Sequence, residues 1–182
     1  MNVVYVTGNQ HKAKHFSSIV GMDIERVNVD VNEIQSLNLR EVVEYKAKAT
    51  YEVVKRPVIV EDTKLVFRAL GALPGPFIKW FMEELGHEGL CRLVDGKDRT
   101  AFAGAAIAYY DGENLEIFER ELEGEILQSP VLGGTGFGWN AIFKPKGADK
   151  SLSEMDKQEF ESWYCRVKPF DEIASFLRSL DK

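Results

Sequence analysis

The chain has 182 residues, 45% hydrophobic and 29% charged, with 23 basic against 29 acidic side chains and a formal net charge of −6. That composition excludes a disordered or collagen-like chain and fits one globular domain over residues 1–182, able to bury roughly 70% of its unfolded surface without disulfide or metal staples. An acidic chain is a poor binder of nucleic acid polymers, whose affinity rests on phosphate neutralisation, and no apolar run approaches the roughly 18 residues of a membrane span.

Val3–Val6 is a short β-favouring run, broken by Thr7-Gly8-Asn9 before a helical stretch from about His11 to Val20. Ile24 to Val29 alternates as a second strand. Asn38 is placed to cap a long helix reaching Lys55, which Pro57 stops. Val58-Ile59-Val60 reads as a buried strand running into Glu61-Asp62-Thr63, and strands alternating with helices predict an α/β sheet. Gly71, Pro74, Gly75 and Pro76 form a turn-rich hinge. A helix over Phe77–Leu85 and a second over His87–Leu93 follow. Thr100–Tyr110 and Leu115–Ile126 are long strands joined by Asp111-Gly112-Glu113-Asn114 at hairpin spacing. Four glycines within Leu132–Trp139 predict a loop, and the tail is helical, with Pro169 in the first turn of a helix over Phe170–Leu180. Cys91 and Cys165 fit no zinc-ligand spacing, and Met1–Val6 lacks a charged signal-peptide n-region, which together suit a cytoplasmic protein.

The chain has no GxxxxGK[ST], HExxH, GxSxG or GxGxxG, so hydride transfer and serine hydrolysis lose support. Residues 1–100 carry 14 basic and 14 acidic side chains and residues 101–182 carry 9 and 15, so a small polyanion would bind in the first half. There, the Thr7–Lys12 strand-to-helix turn offers backbone N–H groups and a counter-charge to phosphate, although many such turns bind nothing. On the 39–55 helix, Lys46 falls inside the stripe Leu39, Val42, Val43, Ala49, Thr50 and Val53. A lysine there either meets an anion or snorkels to water. Lys79 is a third candidate cation, or an ordinary surface lysine. Glu33 and one of the adjacent Glu61 and Asp62, in loops beyond strand ends, suit Mg²⁺, which takes one or two carboxylates plus substrate phosphates. Of the adjacent Glu61 and Asp62, only one should enter a given cleft. Phe137 and Trp139 could stack a base, and at least one of the two should instead plug the core beneath the loop. His11, His15 and His87 have no triad or ligand spacing and read as surface residues.

Taken in order, Thr7-Gly8-Asn9-x-x-Lys12, Glu61-Asp62-Thr63, the segment Ala69-Leu70-Gly71-x-Leu73-Pro74-Gly75-Pro76-x-Ile78-Lys79-Trp80-Phe81, and Phe137-Gly138-Trp139 resemble the inosine triphosphate pyrophosphatase family, eukaryotic members above all. The resemblance spans nearly the whole chain. It implies an α/β fold with a long mixed sheet and flanking helices forming two lobes around a nucleotide-binding cleft, a homodimer, Mg²⁺ dependence, and cleavage of ITP, dITP or XTP to monophosphate and pyrophosphate. It would give Thr7, Gly8, Asn9, Gln10, His11 and Lys12 the phosphates, and Glu33 and Asp62 the metal, with Asp62 also taking the proton of the attacking water. Lys46, Thr63, Lys79 and Arg166 would contact the nucleotide, and Phe137, Gly138 and Trp139 would face the base.

The chain departs from the family pattern at Phe16, Asn140, Phe160 and Tyr164-Cys165, where a glutamate, an aspartate, a lysine and Ser-His would stand. The departures gather on base recognition, and Asn140 is expected to read a base edge with its amide. Two other readings stay open: a Maf-like pyrophosphatase acting on pyrimidine nucleotides, and a nucleotide-binding module with weak or no turnover.

Overall fold

The computed structural model describes residues 2–8, 10–135 and 138–180, apart from the side chain of His11. Among the described residues it contains a mixed seven-stranded sheet and five α-helices. The chain divides into two compact units, residues 1–62, 105–119 and 168–182 in the first and 63–104 and 120–167 in the second. No helix among the described residues is long and apolar enough to cross a membrane.

In the first unit, β1 (Val4–Val6) lies between β2 (Glu25–Val27) and the start of β3 (Val58–Phe67), parallel to both. Strand alternation sorts its side chains onto two faces. Val4, Val6, Val58 and Val60 share a core with Leu39, Val43 and Ala47 of α2 (Leu39–Val54) and with Ala106 and Ala108 of β5 (Thr100–Tyr110). Tyr5, on the other face, stacks on Phe16 of α1 (Gln10–Val20) with ring centroids 4.5 Å apart. Phe16 in turn meets Phe170 of α5 (Phe170–Leu180) edge-on at 5.9 Å. Asn38 caps α2 as expected, its side chain accepting the Arg40 N–H at 3.1 Å, and Lys55 ends the helix in the left-handed conformation. The buried face of α2 is turned slightly from the predicted stripe. Ala47 takes the core position, Ala49 is half-buried, and Val53 is 59% exposed.

In the second unit, β3 continues to Phe67 and pairs antiparallel with β4 (Pro74–Gly75). The two predicted helices of residues 77–93 are present as the two segments of α3 (Ile78–Arg92), separated by a kink at Gly86, whose φ of 64° no helix contains. β6 (Leu115–Ile126) pairs antiparallel with β7 (Phe143–Pro145), and α4 (Lys157–Val167) follows. Strand order in the sheet is β2-β1-β3-β5-β6-β7, with β4 beside β3. β3, β5 and β6 each pass through both units. The turn between β5 and β6 closes on the Asp111 carboxylate, which accepts the N–H groups of Glu113 and Asn114.

Candidate active site

β1 lies between the strand that follows it and the strand after that, so the chain leaves β1 to opposite sides at successive crossings. Ligands of open α/β sheets gather at such a reversal, beyond the carboxyl ends of the strands. Val4 opposes Val58 and Tyr5 opposes Ile59, and carrying that register forward brings Glu61 and Asp62 level with Thr7 and Gly8. Strand pleating then sends the two acids to opposite faces, Glu61 with Tyr5 and Ile59, Asp62 with Val58 and Val60.

On the first face Glu61 is buried between two lysines. Lys168, in the link between α4 and α5, donates to both of its oxygens at 2.8 and 2.9 Å, and Lys12 of α1 lies 3.0 Å from one of them. Burial alone would raise the pKa of Glu61, but the Lys168 and Lys12 ammoniums outweigh it and hold the carboxyl well below the usual carboxylate range. Sequence reasoning missed both Glu61 and Lys168 as site residues. The available signal was a lone lysine between Val167 and Pro169-Phe170, an apolar setting that predicts a buried and therefore paired charge.

On the second face Lys46 of α2 reaches Glu33 at 2.7 Å and Asp62 at 3.5 Å. The lysine meets anions, as one of its two readings required. Burial lowers its pKa, yet the Asp62 and Glu33 carboxylates more than reverse this and the net displacement is upward. Two carboxylates converging on one ammonium form an all-oxygen donor set. Among the described residues no group of three or more His, Cys, Asp or Glu side chains could hold a metal alone. The pair therefore fits a hard cation that draws further ligands from substrate phosphates. At the turn, the Thr7 carbonyl accepts from Arg26 at 3.1 Å, and Gly8 and Gln10 are exposed. Asn9 and the His11 side chain lie outside the described residues.

In the second unit, a cavity of about 160 Å³ is lined by Thr135, Gly138, Asn140, Ser153 and His87 among others. Asn140 is itself buried. His87 is no plain surface histidine, because its Nε2 lies 2.8 Å from the Gly138 carbonyl, while in the first unit His15 is half-buried against Phe170. The loop's other wall is tight: the Thr135 N–H donates to the Ser153 carbonyl at 2.8 Å, and a Cβ on Gly134 would collide with that same carbonyl. Trp139 is the core plug expected of one loop aromatic, buried edge-on to Phe143 at 5.7 Å. Phe137 lies outside the described residues.

Three predicted nucleotide contacts have other neighbours. Lys79 is exposed on α3, 3.9 Å from Glu83 and over the Trp80 ring, as an ordinary surface lysine would be. Arg166 stacks its guanidinium 4.0 Å from the centroid of the Trp163 ring, and Thr63 is half-buried on β3. The departures from the family pattern are largely absorbed as packing: Phe16 stacks on Tyr5, and Phe160 stacks on Tyr164 at 5.2 Å.

Comparison with known proteins agrees with this architecture. The model of the Ham1 family matches residues 3–176. An inosine triphosphate pyrophosphatase from Schizosaccharomyces pombe is 39% identical, with 98% of this chain and 96% of that protein covered. A protein of the same name from Yarrowia lipolytica is 39% identical over 97% of this chain and 96% of its own length. A HAM1 protein structure from Coxiella burnetii superposes with a TM-score of 0.86, covering 98% of this chain and all of that one, at 20% identity, a likeness of fold.

Proposed function

Since the chain belongs to the Ham1 family, we propose that it hydrolyses non-standard purine nucleoside triphosphates such as ITP, dITP and XTP to the monophosphate and pyrophosphate. The observation that carries this reading is the pairing of cations and carboxylates at the end of β1, with Lys12 on Glu61 and Lys46 bridging Glu33 and Asp62. Isolated phosphate binders need only the cations. Hydrolysis also needs a base, and the acids supply one.

In this reading the Thr7–Lys12 turn and Lys46 bind the triphosphate, and Asp62 accepts the proton of the attacking water. The water oxygen bonds to the α-phosphorus, the bond from that phosphorus to the α,β-bridging oxygen breaks, and pyrophosphate leaves with that oxygen. Lys12 and Lys46 meet the charge that develops on the phosphoryl oxygens. Glu33 and Asp62 would hold Mg²⁺, which when bound neutralises triphosphate charge. Gly138 and Trp139 are assigned to the base by resemblance, and Asn140 to reading its edge. Phe137, Thr63, Lys79 and Arg166 are assigned to the nucleotide by resemblance. A homodimer in the cytoplasm completes the proposal. Incubating the protein with Mg²⁺ and a panel of triphosphates, then identifying products by anion exchange, tests it. IMP and pyrophosphate from ITP are expected, whereas IDP and orthophosphate would overturn the reaction, and preferred cleavage of pyrimidine triphosphates the substrate class.

A further inference from the structure

We propose that Lys168 is a positioning residue for Lys12: by holding Glu61 from a buried ammonium, it lets Lys12 turn from that carboxylate to a substrate phosphate. The inference rests on the reading of Lys12 as a phosphate ligand. Three observations support it. The two lysines share Glu61 unequally, since Lys168 donates to both oxygens at 2.8 and 2.9 Å whereas Lys12 approaches one at 3.0 Å. They differ in access, the Lys168 and Glu61 side chains each being 3% exposed and that of Lys12 23%. Lys168 is also fixed at its root, between buried Val167 and the buried Pro169-Phe170 that opens α5.

Of the two ammoniums on Glu61, that of Lys12 is the more exposed and is the one able to reach a ligand. A buried carboxylate stripped of its cation is strongly disfavoured, so Lys12 can leave Glu61 only if Lys168 stays. Without Lys168, Glu61 and the incoming phosphate compete for the same ammonium.

Lys168→Met should raise KM for ITP about 10- to 100-fold, the equivalent of one charge-assisted hydrogen bond withheld from the substrate, with kcat changed by less than about threefold. Lys168→Arg should keep KM within about threefold of the wild type, because the charge remains. Glu61→Gln combined with Lys168→Met removes the competitor and should return KM to near the wild-type value. A folded Lys168→Met with wild-type KM and only a lowered melting temperature would reduce Lys168 to a structural role and overturn the proposal. If Lys168→Met does not fold, the double variant decides, and a KM more than about tenfold above wild type overturns the proposal. Calorimetric titration with inorganic tripolyphosphate should give the same order of affinities. If the wild type binds tripolyphosphate in that order yet cleaves no triphosphate, the proposed activity fails and Lys168 keeps its role. If it binds none, the role of Lys168 fails.

Discussion

Glu61 and Asp62 are consecutive on β3 and bind different lysines on opposite faces of the sheet, Glu61 those of α1 and the α4–α5 link, Asp62 that of α2. Strand alternation separates their duties. The buried Glu61 anchors cations, and in the proposed mechanism the more open Asp62 meets water and metal.

Asp62→Asn should therefore fold normally and lose turnover of ITP by about 10²-fold or more, the usual loss when a general base is removed. Initial rates with Mg²⁺, read beside circular dichroism and a thermal melt, check this. A folded variant with near wild-type rates would take Asp62 out of the mechanism.

The Glu61 carboxyl is depressed by Lys168 and Lys12 in the folded chain, so it binds a proton less readily there than in the unfolded chain. Its contribution to stability is complete above the ordinary carboxylate pKa and is lost as pH falls below that value. Melting temperature from about pH 6 to about pH 3 should thus fall more steeply in the wild type than in Glu61→Gln/Lys168→Met, which lacks the pair. Parallel curves would show that Glu61 is not held ionised by its neighbours.

Asn140 has both a donor and an acceptor on its amide, whereas an aspartate at this position could only accept. A 6-oxopurine and adenine present opposite polarities at their N1 and six-position edge, so Asn140 can turn to suit either. Arg166, assigned to the nucleotide by resemblance, can only donate and so favours the O6 acceptor of a 6-oxopurine over the amino group of adenine. One mismatched buried polar group costs about 1–3 kcal/mol, which corresponds to a ratio of specificity constants for ITP over ATP of roughly 5 to 150. Asn140→Asp should raise that ratio. Equal use of ATP and ITP, or a ratio untouched by the substitution, would place the base elsewhere.

Gly134 packs against the Ser153 carbonyl with no room for a methyl group. Gly134→Ala should displace the loop that carries Gly138 and Asn140 and lower stability by about 1–3 kcal/mol, with KM for ITP rising more than that for tripolyphosphate inhibition. Urea unfolding and steady-state kinetics separate the two effects.

Much of this was legible in the chain because it is local. The Asn38 cap, the Pro57 stop and the hairpin at Asp111 are each written within a few residues, and the structure has all three. Lys46 stood out because helical spacing set it beside an apolar face, although that face is turned toward Ala47. The partnership of Lys168 with Glu61 had no such signature: 107 positions separate them and only the folded sheet unites them. Likewise nothing near His87 announces the Gly138 carbonyl 51 residues away.

The first unit is assembled from three stretches of chain, residues 1–62, 105–119 and 168–182. During synthesis its opening stretch must therefore wait while more than a hundred residues are added before Phe170 of α5 can meet Phe16, and before Lys168 can reach Glu61. Until then a nascent chain holds β1 and β3 with one face uncovered, a state in which exposed apolar surface invites association with other chains. Contacts of such long sequence separation also slow folding. The lysine that completes the charge cluster at Glu61 is thus added 107 residues after its partner, and the cluster cannot form before then.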